Sequence, residues 1–124
     1  FDKKKSISLS DLIQKHKIDI IDFIKIDIEG SAPYLSNDLI NLNDNDKIKN
    51  VMIGFEKNSY ENYSKIIKSF KKNLFPYTID YTINKLSLIE YDNLIEILKD
   101  GLPENYTQEN KWAIEILFSS NKNL

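Results

Sequence analysis

A lysine and two carboxylates occupy alternate positions of one short apolar segment, FIKIDIEG. Lys25, Asp27 and Glu29 alternate with isoleucines, and Gly30 follows at once. Two neighbouring carboxylates push their pKa values apart, so that one can act as a general base or both can bind a hard cation. These residue types therefore indicate acid–base chemistry or cation binding, provided that the segment delivers them to a cleft.

The alternation of this segment fits two structures. In a parallel sheet covered by helices on both faces, Asp27 and Glu29 would lie at the carboxyl end of the strand, where open α/β sheets bind ligands. In an antiparallel or edge strand, the same side chains would simply face water. The segment alone fits both structures about equally. The continuous apolar run VMIGF at 51–55 favours the buried parallel sheet.

Periodicity predicts the elements that must position these side chains. We expect helices at 8–16, from about 31, at 59–73 and at 92–99, a loop at 41–50, and strands at 23–28, 51–55, 77–84, 86–89 and 112–118. Strands that alternate with helices imply right-handed crossovers and a parallel sheet, whereas the closing pair of strands should be antiparallel. The predicted fold class is therefore α/β.

Length and composition narrow the classes of protein. With 124 residues, 41% of them hydrophobic and 29% charged, the chain is one globular domain at most. A net charge of −2 gives no electrostatic attraction to nucleic acid or to an anionic membrane, and no apolar run is long enough to span a bilayer. All 17 basic residues are lysines, and no cysteine is present to form a disulfide or act as a nucleophile. We expect a cytoplasmic protein.

The segment and its surroundings resemble FkbM-like methyltransferases, which use S-adenosylmethionine. The usual pattern of that family is T/S-L-D-x-L, a short helix, and then D-F-x-K-I-D-V-E-G on the fourth strand of a Rossmann-like sheet. In this chain SLSDL at 8–12 approximates the first part, and DFIKIDIEG at 22–30 matches the second closely. The elements that follow also fit the family, because an apolar strand ending at Glu56 precedes a long helix and a terminal pair of strands.

The chain departs from the family in two ways. The family commonly continues G-A-E, whereas S-A follows Gly30, so the next acidic side chain is missing. Such methyltransferases also hold their cofactor with a glycine-rich turn after the first strand, but Gly30, Gly54 and Gly101 lie far apart. Residues 1–124 therefore resemble the C-terminal half of the domain without its cofactor-binding half. The fold expected is a partial Rossmann-like sheet, mostly parallel, with an antiparallel C-terminal strand pair.

The resemblance implies methyl transfer from S-adenosylmethionine to an acceptor, with a hydroxyl of a small molecule or glycan as the expected group. Asp27 would be the base or electrostatic partner of the acceptor, with Glu29 beside it and Lys25 holding the carboxylates in place. Asp27 and Gly30 would contact the cofactor, and Glu56 the acceptor. A divalent ion could bind if both carboxylates converge, but no third protein ligand is evident, so no metal ligands are assigned. Because the main cofactor-binding loop is not in this sequence, we expect the chain to be an inactive fragment by itself.

A second hypothesis is a non-catalytic α/β module that lacks the cofactor site. Half a sheet would leave the strand at 23–28 as an exposed apolar edge, which invites pairing with another chain. The protein would then be an oligomerisation or partner-binding unit, with a homodimer joined through this edge as one form. A glycine-rich turn upstream of Phe1 would favour the enzyme over the module.

The remaining candidates for a site are more simply explained by structure. His16 is the only histidine, and a solvent-facing position at a helix end is the better interpretation because no partner is evident. The tyrosines at 60, 63, 77 and 81 follow the helix or strand period, which favours packing.

Overall fold

A computed structural model of the protein describes residues 9–26, 35–56, 59–101 and 113–124. The helices are α1 (Leu9–Lys15), α2 (Ser36–Asp44), α3 (Tyr60–Phe70) and α4 (Tyr91–Asp100). The strands are β1 (Ile24–Ile26), β2 (Asn50–Glu56), β3 (Phe75–Asp80), β4 (Lys85–Leu88) and β5 (Ala113–Ser119). The predicted α/β class is confirmed.

The strands form one mixed sheet in the order β1-β2-β5-β3-β4. β1 and β2 are parallel neighbours, whereas β5 runs antiparallel to both β2 and β3. β1, β2 and β3 therefore point in the same direction, although only one pair among the described strands is parallel. The expected mostly parallel sheet is wrong in this respect, because β5 inserts between β2 and β3 and converts two contacts into antiparallel ones.

One face of the sheet carries the main hydrophobic core. The side chains that β2 and β5 contribute to it are Val51, Ile53, Phe55, Ile114, Ile116 and Phe118. All four helices add buried side chains to the same cluster, so they form a single layer on this face, which we call the helix face. Phe118 joins the layers, because its ring meets the rings of Phe55 and Phe70 edge-on at centroid distances of 6.0 and 5.0 Å.

The opposite face of the sheet, which we call the second face, carries a smaller cluster. Its members are Tyr77, Ile79 and Leu117, with the partly buried Met52, Phe75 and Leu86 against them. β2 accordingly alternates between buried residues on the helix face and half-buried residues on the second face. The run VMIGF is thus covered fully on one face and in part on the other, which is less than the sequence predicted.

Both bounds of the loop predicted at 41–50 are wrong, because the loop is shorter than predicted. Helix α2 continues to Asp44, and β2 begins at Asn50. The helix extends because Asn43 is buried against α3, where its side-chain amide donates to the Ser69 carbonyl at 3.2 Å and to the Asn73 side-chain oxygen at 2.9 Å. A buried amide with several partners favours order in a segment whose polar composition predicts a loop.

The predicted strand at 77–84 is also wrong at its end. β3 stops at Asp80, and residues 81–84 form the turn that leads to β4. Asn84 has a φ of 51°, in the left-handed region that asparagine tolerates better than most residues. The end of the strand predicted at 23–28 and the start of the helix predicted from about 31 lie outside the described residues, as does Trp112.

Candidate functional site at the carboxyl end of the sheet

One end of the sheet collects the carboxyl ends of three strands. β1, β2 and β3 end at Ile26, Glu56 and Asp80, and all three strands point the same way. The amino end of β5 reaches the same place, because Ala113 lies opposite Glu56 in the register. We call this the carboxyl end of the sheet, and it is where α/β sheets of this kind bind ligands.

Of the four residues of FIKIDIEG that the sequence singled out, Lys25 is the one that lies in a described range. Its side chain is exposed on β1, opposite Met52, whereas the next residue, Ile26, is buried on the helix face. Lys25 therefore projects from the second face, one residue before β1 ends. Asp27, Glu29 and Gly30 lie outside the described residues, so their roles and their contacts with Lys25 stay predictions.

Glu56 lies where the sequence predicted it, at the last position of β2. The residue is half-buried, and its backbone carbonyl accepts a hydrogen bond from the hydroxyl of Ser59, a buried residue directly before α3. Burial raises the pKa of the Tyr63 phenol, and the charge of Glu56 raises it further. Tyr63 packs edge-on against Phe55 with ring centroids 4.7 Å apart. The Glu56 carboxylate is thus close enough to a buried phenol to act on its ionisation.

A tyrosine that the sequence assigned to packing and a glutamate that it did not single out meet at the same end. The Tyr81 hydroxyl donates to the Glu115 carboxylate, which joins the β3–β4 turn to β5. Tyr81 is 47% exposed, and Glu115 lies opposite Gly54, so the carboxylate stands next to a position of β2 that has no side chain. Tyr81 was expected only to pack, but its hydroxyl also forms this hydrogen bond.

A sequence signal for this pair existed. Glu115 is the one charged residue in the strongly apolar run WAIEILF, and strand alternation places Tyr81 in phase with Tyr77. The order of the strands, which brings β5 next to β3, could not be predicted from the sequence.

Asp80 has a simpler explanation in the turn. Its carboxylate accepts hydrogen bonds from the Thr82 hydroxyl and, at 3.0 Å, from the Thr82 amide. Such bonds from Asp to the backbone two residues later stabilise a tight turn. Asp80 therefore helps to shape the β3–β4 turn at this end of the sheet.

Two structural features are absent from the described ranges. Within them, no three acidic or histidine side chains come together in a group that could hold a metal ion. The helices of these ranges are also too short or too polar for any of them to cross a membrane. His16 is exposed at the end of α1, in agreement with the interpretation of it as a surface residue.

A groove of about 470 Å³ lies at the other end of the sheet, between α1, α2 and the segment that leads into β1. Its polar lining consists mainly of Lys17, Lys47, Asp19, Gln14, Asn41 and Asn45. The groove is remote from Glu56 and Glu115, so it does not extend the candidate site at the carboxyl end.

Comparisons with protein-family models, curated proteins and solved structures found no match to this chain.

Proposed function

We propose that this chain is the C-terminal part of an S-adenosylmethionine-dependent methyltransferase domain that methylates a hydroxyl of a small molecule or glycan. The observation that best supports the proposal is the position of the K-I-D-x-E-G segment. Its first residues form the end of β1, next to the parallel strand β2, and Glu56 stands at the end of that neighbour. The sequence of β1, α2, β2 and α3 also agrees with the order of elements that the resemblance implies.

The described residues suit the acceptor side of such a site better than the cofactor side. Gly54 lies inside β2, and Gly101 follows α4 with a φ of 91°, so neither belongs to a glycine-rich turn after a strand. The cradle for the nucleotide part of the cofactor is therefore assigned to polypeptide beyond these 124 residues. Asp27 and Gly30 are the residues of this chain proposed to contact the cofactor.

The residues of this chain would act mainly by positioning and by accepting a proton. When bound, S-adenosylmethionine supplies an electrophilic methyl group. Asp27 takes the proton of the acceptor hydroxyl, Glu29 assists it, and the Lys25 ammonium favours the ionised form of both carboxylates. Glu56 accepts a hydrogen bond from a second hydroxyl of the acceptor and fixes its orientation.

Calorimetric titration with S-adenosylmethionine tests the proposal. The protein as its gene encodes it should bind the cofactor, whereas the 124-residue chain alone should bind it at least about 100-fold more weakly, because it lacks the cradle. Asp27→Asn should weaken binding by the gene-encoded protein about tenfold, the typical effect of losing a charged hydrogen bond. Asp22→Asn is the matched control, since Asp22 is an exposed carboxylate that pairs with Lys49 at 3.8 Å. Absence of binding by the gene-encoded protein would refute the proposal.

A second candidate is a non-catalytic module that binds a partner through the sheet. The observation that favours it is the exposure of Ile20 and Phe23, which are 50% and 54% accessible beside β1. An unprotected strand edge with exposed apolar side chains beside it is a template for pairing with another chain. A gene-encoded protein that binds a partner but not S-adenosylmethionine would favour this candidate.

A further inference from the structure

We propose that two copies of this protein pair through the outer edge of β4, with the two β4 strands antiparallel and centred on Ser87. The two sheets then form one continuous sheet across a twofold axis. The inference goes beyond the proposed function and holds without it, because it rests on the edge of the sheet remote from β1 and not on methyl transfer.

The first argument is the direction of the backbone groups of β4. This strand is the last in the strand order, so one of its edges pairs with no other strand of the described ranges. The Ile89 amide donates to a carbonyl of β3 at 3.0 Å, and the Ser87 carbonyl accepts from the Thr78 hydroxyl of β3 at 3.4 Å. Because backbone groups alternate in direction along a strand, those of Leu86 and Leu88 face the open edge.

The second argument is that these outward groups are complementary to themselves. In an antiparallel pair, residues of a hydrogen-bonded pair exchange two bonds. When Leu86 of one copy lies opposite Leu88 of the other, the twofold axis repeats the match, and every outward amide and carbonyl of β4 is used. The two Ser87 residues then lie directly opposite each other. The neighbouring registers instead place a leucine opposite Asn84 of the turn or Glu90 before α4, so the register centred on Ser87 fits best.

The third argument is the charge at the two ends of β4. Leu86 packs on the second face, so strand alternation puts the exposed Lys85 side chain on the helix face. α4 lies on that same face, and the exposed Glu90 and Asp92 stand at its start. Within the described ranges, none of these three charged side chains forms an ion pair. The antiparallel arrangement brings Lys85 of each copy beside the start of α4 of the other, where the opposite charges attract.

The apolar side chains at this edge agree with the same partner. Leu88 is 44% exposed and Ile83 of the turn is 65% exposed, while Leu86 is half-buried between them. A charge within an edge strand normally protects it from pairing. In β1 that charge is Lys25, at the middle of the strand, whereas Lys85 occupies the first position of β4 and leaves the leucines beyond it unprotected. A second copy brings the same leucines to the same face, so each pair covers the other.

Cross-linking of the gene-encoded protein tests the register. These 124 residues contain no cysteine, so Ser87→Cys adds one thiol, and the unsubstituted protein gives the background. In the proposed pair the two thiols face each other from Cα atoms about 4.5 Å apart, within reach of a disulfide. Under mild oxidation Ser87→Cys should form a covalent dimer about tenfold faster than Lys65→Cys, the control on the exposed side of α3. Cross-linking of Ser87→Cys no faster than the control would overturn the proposal.

Light scattering of the gene-encoded protein from about 1 μM to about 1 mM measures the association itself. The mass should rise towards twice that of one chain only at the higher concentrations, because a contact built on a four-residue strand is small and therefore weak. Lys85→Glu should raise the dissociation constant about tenfold, and adding Asp92→Lys should restore it to within about threefold, whereas the control Lys65→Glu should leave it unchanged. A monomer at every concentration, or a dimer that Lys85→Glu does not weaken, would overturn the proposal. Neither experiment uses S-adenosylmethionine, so failure of the methyltransferase proposal would leave both results unchanged.

Discussion

At the scale of single residues, Tyr91 links the stability of the fold to alkaline pH. Its hydroxyl donates to the Leu74 carbonyl at 2.7 Å, and burial raises its pKa far above the ordinary value near 10. Below pH 10 the phenol is protonated in both the folded and the unfolded chain, so its contribution to stability is fully present there. Above pH 10 the unfolded chain loses this proton while the folded chain retains it, and the free energy of unfolding must fall as pH rises.

We expect this fall to reach up to about 1.4 kcal/mol per pH unit from Tyr91. Tyr91→Phe should cost about 1 kcal/mol at pH 8, because the hydrogen bond to Leu74 is lost, and should flatten the decline between pH 10 and 11. Urea unfolding at several pH values measures both effects. Tyr60→Phe is the control, because it also removes one phenol but leaves Tyr91 in place, and it should keep the steep decline. An equally steep decline in Tyr91→Phe would show that other groups cause it.

The bond between Tyr81 and Glu115 can be measured by a double-mutant cycle. We expect Tyr81→Phe and Glu115→Gln to be coupled by about 1 kcal/mol, because a hydroxyl that donates to a carboxylate gains from the charge but is partly solvated here. Urea unfolding of the two single variants and the double variant gives this coupling energy. A coupling below about 0.3 kcal/mol would mean that solvent replaces the bond at no cost.

At the scale of elements, a polar cluster ties the carboxyl-terminal turn of α2 to that of α3. The Asn43 side-chain amide reaches the Ser69 carbonyl and hydroxyl and the Asn73 side chain, and the Ser69 hydroxyl donates to Asp44 at 3.0 Å. We expect Asn43→Ala to lower the free energy of unfolding by about 2 kcal/mol, since buried acceptors lose their donor. Asn45→Ala is the control, because Asn45 is exposed and bonds only within the end of α2 among the bonds described. Similar losses in both variants, from urea titrations, would contradict this account.

The elements also show how far the sequence predicts this fold. Each helix and strand of the described ranges overlaps an element expected from periodicity, because local apolar spacing reflects which side faces a core. The end of α2 was missed because the burial of Asn43 depends on a distant residue of α3. Glu56 could be placed at the end of a strand from sequence, since it directly follows an apolar run. The partnership of Tyr81 with Glu115 could not, since it requires β5 to lie beside β3.

At the scale of the whole molecule, the last strand of the chain completes the middle of the sheet. β5 pairs along its length with β2 and also with β3, so without it the sheet separates into the β1–β2 pair and the β3–β4 hairpin. β5 also supplies Ile114, Ile116 and Phe118 to the main core. Two isolated pairs of strands are at best marginally stable. The fold therefore depends on contacts between distant parts of the chain.

Two truncations test this dependence. Removal of residues 113–124 should abolish cooperative unfolding, because both halves of the sheet lose their shared neighbour. Removal of 121–124 alone should leave a folded protein with a lower midpoint. This shorter deletion takes away the Asn121 carbonyl that accepts from Tyr77 at 2.7 Å but keeps the Ser120 amide, which donates to Lys49 at 2.8 Å. Circular dichroism during thermal unfolding distinguishes the two. A cooperative transition in the longer deletion would show that the helix layer with β1–β2 folds without β5, and the central role of this strand would be wrong.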